Sequence, residues 1–149
     1  LILVVLMTSC GFKVIDKSRI SNFKIEKITT SGNKNINFLI KNSLYNNFSN
    51  NISDNILLID FKSKKTKAIK EKNISNQITK YDISLNIDGK VTIVKNEIEK
   101  SFKINLNGSF NVSSNQSDTI DNQNNLEEFL ADKASNIIRN KIINYINDL

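Results

Sequence analysis

The side chains that could do chemistry are few, and their spacing narrows the choices further. Glu127 and Glu128 form an adjacent acidic pair. Neighbours on a helix point about 100° apart, so local geometry does not let the two carboxylates share one substrate. Glu97 and Glu99 flank a predicted hairpin and read as solvated. The chain contains no His and a single Cys, Cys10, so neither a zinc set nor a Cys–His nucleophile can be assembled within it. Gly11, Gly32, Gly89 and Gly108 are isolated from one another, which leaves no glycine-rich phosphate loop. Non-enzymatic work, with no metal and no cofactor, is the expectation. The remaining chemical feature is a lysine-rich run from Lys62 to Lys72. It reads either as a solvated strand edge that discourages edge pairing or as a contact for phosphate, to which Lys presents a point charge.

Cys10 stands at the end of the apolar run Leu1 to Met7, after Thr8 and Ser9. An apolar stretch closing on small residues is the mark of a secretory signal, and this run falls short of the roughly 20 residues that a spanning helix needs. It lacks a charged leading region and an initiator Met, and is read either as a truncated leader or as one that starts at an unusual codon. Met7-Thr8-Ser9-Cys10 resembles a bacterial lipobox, although Leu is commoner where Met7 stands. The resemblance implies cleavage before Cys10, acylation of its thiol (palmitate-type chains) and a signal peptide over residues 1–9. Several acyl chains, each contributing about 0.8 kcal/mol per buried methylene, hold a protein at a membrane where one does not. The bland alternative, a small Cys buried in a core strand, fits poorly with its place at the end of that run. An Asp after the Cys would resemble the inner-membrane retention signal of enterobacterial lipoproteins; Gly11 stands there instead, and what that resemblance implies is the outer membrane.

The formal charge is +6, with 21 basic and 15 acidic residues. Such an excess favours anionic partners. Nucleic acid would satisfy it, but an exported chain does not meet nucleic acid, so anionic or phosphorylated lipid is the better expectation.

The elements that must carry these residues follow from periodicity. Residues 10–22 are expected to form a lipidated tether with a short initial strand, and residues 23–149 one domain. Phe23, Ile25 and Ile28 alternate around an anticipated bulge, a strand signal, and Ser31-Gly32-Asn33 reads as a turn. Ile36, Ile40, Leu44 and Phe48 make one stripe of a helix over Lys34 to Phe48. Asn50 to Asn55 reads as a loop, and Leu57, Ile59 and Phe61 as a second strand. Tyr81, Ile83, Leu85 and Ile87 alternate, and the parity persists through Gly89 to Val91 and Ile93. That continuity favours one long strand over a turn at Asp88-Gly89. Lys95-Asn96-Glu97 is the next hairpin. In the fourth strand Phe102, Ile104, Leu106, Phe110 and Val112 take one face; Lys103, Asn105, Asn107 and Ser109 take the other. Ser113 to Asn125 reads as a polar, mobile connection. Leu126, Phe129, Leu130, Ala134, Ile137, Ile138, Ile142 and Tyr145 then form the stripe of a final helix to Leu149. The predicted class is α+β: a two-layer sandwich of a four-stranded, mostly antiparallel sheet with two helices on one face, in the order β-α-β-β-β-α.

The start Cys10-Gly11-Phe12, the strand Thr79-Lys80-Tyr81-Asp82-Ile83-Ser84-Leu85 and the helix from Leu126-Glu127-Glu128-Phe129 to Lys141-Ile142 together resemble the LptE family, lipopolysaccharide-assembly lipoproteins of the Gram-negative outer membrane. The resemblance lies in the sum of these segments and in the order of elements across the mature chain. It implies a lipoprotein on the periplasmic side of the outer membrane. There it would plug an LptD-type β-barrel, help that barrel assemble, bind lipopolysaccharide and assist its delivery to the outer leaflet. Two cation sites for lipopolysaccharide are implied, one near Lys70 and Lys72 and one in the loop before the last helix. Residues Ser113 to Asn125 contain no Lys or Arg. The short polar side chains of Asn105 and Ser109 are candidates for contact with the barrel wall. The alternative is a free periplasm-facing lipoprotein that binds an anionic ligand without a barrel.

Overall fold

A computed structural model of the chain describes residues 22–48 and 54–149. Cys10, the signal segment, the tether and most of the Asn50–Asn55 loop lie outside the described residues. The elements are β1 (Lys24–Gly32), α1 (Lys34–Phe48), β2 (Ile56–Lys72), β3 (Ile78–Ile93), β4 (Ile98–Asn111) and α2 (Gln116–Asn147). This is the β-α-β-β-β-α order expected of an α+β sandwich. In the sheet the strands lie in sequence order, with β1 parallel to β2 and the other two pairings antiparallel. The register of β1 shifts between Ile25 and Lys27, the bulge that returns Ile28 to the inner face.

Both helices cover the inner face. Ile36, Ile40 and Leu44 of α1 and Leu130, Ala134 and Ile138 of α2 are buried against Leu57, Ile59, Phe61, Leu85 and Ile104 of the sheet. The helices meet through small side chains, with Ser43 and Ser135 hydroxyls 2.7 Å apart. Burial on one face only is what the alternating strands require.

Polar bonds define the corner between β1 and α1. Gly32 has φ +94°, and a Cβ there would stand 1.9 Å from the Ser63 carbonyl oxygen, so no other residue fits. Asn33 caps α1 by accepting from the Ile36 amide at 3.0 Å. The buried Ser63 hydroxyl donates to Asn37 Oδ1 at 2.6 Å, and Asn37 donates in turn to the Ser31 carbonyl at 2.9 Å. β3 runs unbroken through Gly89, as the parity indicated. The glycine answers a need for space, since a Cβ there would lie 2.6 Å from the Phe102 ring.

Two expectations are corrected. The segment Ser113 to Asn125 is not a loop throughout: α2 begins at Gln116, where Asn115 Oδ1 accepts from the Ser117 amide at 3.0 Å and Asp118 occupies the first turn. Phe129 does not join the buried stripe and is 61 % exposed. The buried neighbours Leu130, Ala131 and Ala134 centre the inward stripe, and Phe129 lies to one side of it.

Candidate functional site

The strands β2 and β3 outrun the rest of the sheet. β1 leaves β2 at the Gly32–Ser63 pair, while β2 continues to Lys72. Lysines on this extension divide by strand parity. Lys65 and Lys67 share the inner face with Phe61 and Ser63. Lys62, Lys64 and Lys70 share the outer face.

On the inner face Lys65 Nζ lies 2.7 Å from Glu127 Oε1. The Glu127 side chain is 3 % exposed, and it also accepts from Gln123 at 2.8 Å and from Asn35 at 3.4 Å. Burial pushes the Glu127 carboxyl up, but the hydrogen bonds from Lys65 and Gln123 and the charge of Lys65 outweigh it and hold the group below its ordinary range. Glu128 is exposed, so the acidic pair diverges as helical geometry demands. Sequence reasoning overlooked the role of Glu127; the signal was its place three residues before Leu130 and four after Gln123 on the inward stripe.

Two residues along β2, Lys67 Nζ sits 4.2 Å from the Tyr81 ring centroid and 5.0 Å from that of Phe110. Those rings are stacked at 5.6 Å. Lys67 also donates to Gln123 Oε1 at 2.7 Å. Lys67, Tyr81 and Gln123, together with Ile78, Val112, Thr119 and Ile120, line a cleft of about 380 Å³ between the strand ends and the first turns of α2. Its walls mix apolar and aromatic groups, Ile78, Tyr81, Val112 and Ile120, with the polar side chains of Ser113, Ser114, Gln116 and Thr119, and one ammonium group is at hand, a combination that suits an amphiphile with a negative group. The cleft also escaped the sequence reading, which treated Lys62 to Lys72 as a single cluster instead of splitting it by parity.

The proposed site residues lie on the other face. Lys70 Nζ is 3.1 Å from Asp82 Oδ1 and 2.7 Å from Ser109 Oγ. Hydrogen bonds from Ser109 and Lys70 hold the Asp82 carboxyl below its usual range. Lys72 donates to Asn76 Oδ1 at 3.0 Å within the β2–β3 turn. Lys70 and Ser109, singled out for different reasons, are thus brought together. Lys72 stands at the turn, and Asn105, exposed and paired with Asn86, lies four residues along β4 from Ser109. The outer face between them is short-chained and polar: Ser84, Asn86, Asn107.

No sequence-family model and no curated protein matches the chain. Its shape does find counterparts. The crystal structure of rare lipoprotein B from Shewanella oneidensis superposes with a TM-score of 0.58 at 12 % identity, covering 81 % of this chain and 97 % of that one. This chain has the rare lipoprotein B fold. The solution structure of lipoprotein B from Nitrosomonas europaea gives 0.59 at 12 % identity over 92 % and 93 % of the two chains. A minor lipoprotein from Acinetobacter baumannii gives 0.51 at 10 % identity over 80 % and 93 %. At such identities the likeness is one of architecture, and it spans nearly the whole of those lipoproteins' described length.

Among the described residues no helix is long and apolar enough to cross a membrane, and no group of three or more potential ligands is placed to hold a metal ion.

Proposed function

We propose that this chain is a lipoprotein of the LptE kind: anchored by acyl chains on Cys10 to the periplasmic side of the outer membrane, seated inside an LptD-type β-barrel, and assisting delivery of lipopolysaccharide to the outer leaflet. The observation that carries the reading is the conjunction of a lipobox-like Met7-Thr8-Ser9-Cys10 with a downstream domain folded like rare lipoprotein B. A plug needs a wet, polar surface that a barrel wall can approach closely, and the outer face around Asn105 and Ser109 supplies one.

Lipopolysaccharide contact is assigned to two places. Lys70 and Lys72 lie at the end of the β2–β3 extension, where phosphate would displace Asp82 from an exposed ion pair worth little on its own. The segment before Leu126 carries no cation in sequence, but Lys67 delivers one to it in space, at Gln123. The cleft beside Lys67 adds the apolar side chains of Ile78, Val112 and Ile120 for a lipid to meet. Changing Lys70 and Lys72 to Glu is expected to weaken lipopolysaccharide binding and to flatten its salt dependence, because exposed charges are screened over about 8–10 Å at physiological salt. Unchanged affinity in the folded double mutant would return both lysines to the role of a solvated edge.

The anchored reading is tested on the chain extracted from membranes with mild detergent. Native mass spectrometry is expected to show an acylated Cys10 and a one-to-one complex with an outer-membrane barrel. An unmodified thiol would refute the anchor. An acylated chain that leaves the membrane alone would favour the free ligand-binding lipoprotein.

A further inference from the structure

The extension of β2 past its neighbour leaves a second feature that the barrel reading does not use. β1 pairs with β2 as far as Ser63, and β2 then runs on to Lys72 with β3 as its one neighbouring strand among the described residues. Along that stretch every second residue must aim its N–H and C=O at the open side, which makes a template for another strand. Residues 64 and 66–72 are exposed, Ile69 by 52 %. The register against β3 is regular as far as Ile69 and shifts twice between Ile69 and Lys72; the six regular residues from Lys64 span about 20 Å at 3.3 Å each, enough to pair with a partner strand of ordinary length.

Charge decides what can dock. Lys65 and Lys70 have acidic partners, Glu127 and Asp82. Lys62 and Lys64 have no carboxylate in ion-pair range among the described residues, and Lys67 is held by rings and an amide. A second copy would bring like charges face to face, which disfavours cross-strand pairing. An anionic strand would instead meet the ammonium groups of Lys62 and Lys64, unpaired among the described residues, on the outer face of the edge. We propose that the open edge of β2, Lys64 to Lys72, is a strand-addition site for an extended acidic segment of a partner protein. The added strand continues the line of β1 and is selected by main-chain hydrogen bonds together with carboxylates at alternate positions. The inference is independent of the barrel reading and holds equally for a free lipoprotein.

The test uses the full chain and a labelled nine-residue peptide of alternating Glu and Val, blocked at both ends. Three controls accompany it: the same peptide N-methylated at every second residue, the Lys–Val counterpart, and a poly-Glu nonamer. Anisotropy is expected to show binding of the Glu–Val peptide alone, lost on N-methylation and weakened roughly tenfold, about 1.4 kcal/mol, by Lys62→Glu together with Lys64→Glu. Amide exchange is expected to slow at alternate positions between Lys64 and Lys72 when the peptide is bound. Equal binding of the N-methylated or poly-Glu peptide would overturn the proposal by reducing the edge to a charge patch. No binding would overturn it outright. Concentration-dependent protection of the same amides without peptide would make a second copy the occupant and overturn it too.

Discussion

Glu127 and Lys65 show how one ion pair can shape the interior of a small sandwich. The carboxylate is buried and its cation is mostly so, so removing one partner leaves an uncompensated charge that costs more than the pair contributes. Lys65→Met is expected to destabilise the fold by about 1–3 kcal/mol, measured by urea denaturation. Adding Glu127→Leu is expected to recover most of the loss, since two apolar side chains can replace a buried pair. The pH dependence has a definite sign. Because the folded Glu127 carboxyl is held below its ordinary range, its contribution is complete above the unfolded value of about 4.3 and is lost as pH falls through the lower folded value. Acid unfolding curves of wild type and Glu127→Gln should therefore stay fully separated above about pH 4.3 and converge as pH falls through the lower folded value. Parallel curves would show that the pair does not titrate with folding. At this scale the sequence was partly legible. Strand parity sorted Asn105 and Ser109 correctly to the outer face, but the same parity was not applied to Lys62–Lys72, and the inward Lys65 and Lys67 were missed.

Among the elements, α1, β1 with its bulge, β3 and β4 could be read from apolar spacing, because each buries an apolar stripe against a dry neighbour. The first turns of α2 could not. Their inward positions are Thr119, Gln123 and Glu127, polar residues that face Lys65, Lys67 and the strand ends across the cleft. A polar stripe opposite a polar extension leaves no hydrophobic period to detect, and the cap at Asn115 was the remaining signal. Two glycines fix how closely elements approach. Gly32→Ala combines a positive φ with a collision against the Ser63 carbonyl, and Gly89→Val places a side chain against Phe102 and the Asp60 carbonyl. Each is expected to cost about 1–3 kcal/mol, with a matching fall in thermal midpoint. A Gly32→Ala protein of wild-type stability would contradict the account of the β1–α1 corner. Ile40→Ala, at the centre of α1 and fully buried, is expected to cost about 2–5 kcal/mol.

At the scale of the whole molecule the sandwich presents two unlike surfaces. The helical layer closes the core, and its sheet partner leaves a broad outer face of Asn, Ser and paired charges. Such a face has no apolar reason to bury itself, so a partner must meet it through hydrogen bonds and trapped water. A barrel that encloses the domain would contact it from several sides and bury well over the roughly 1,600 Å² of a standard interface. Photo-crosslinking residues placed singly at Asn105 and Ser109 in cells test this most directly. Both positions are expected to capture the same outer-membrane β-barrel, in full-length protein that carries its lipid. Capture of a soluble periplasmic protein, or of nothing, from both positions would contradict the plug and leave a free lipoprotein in its place.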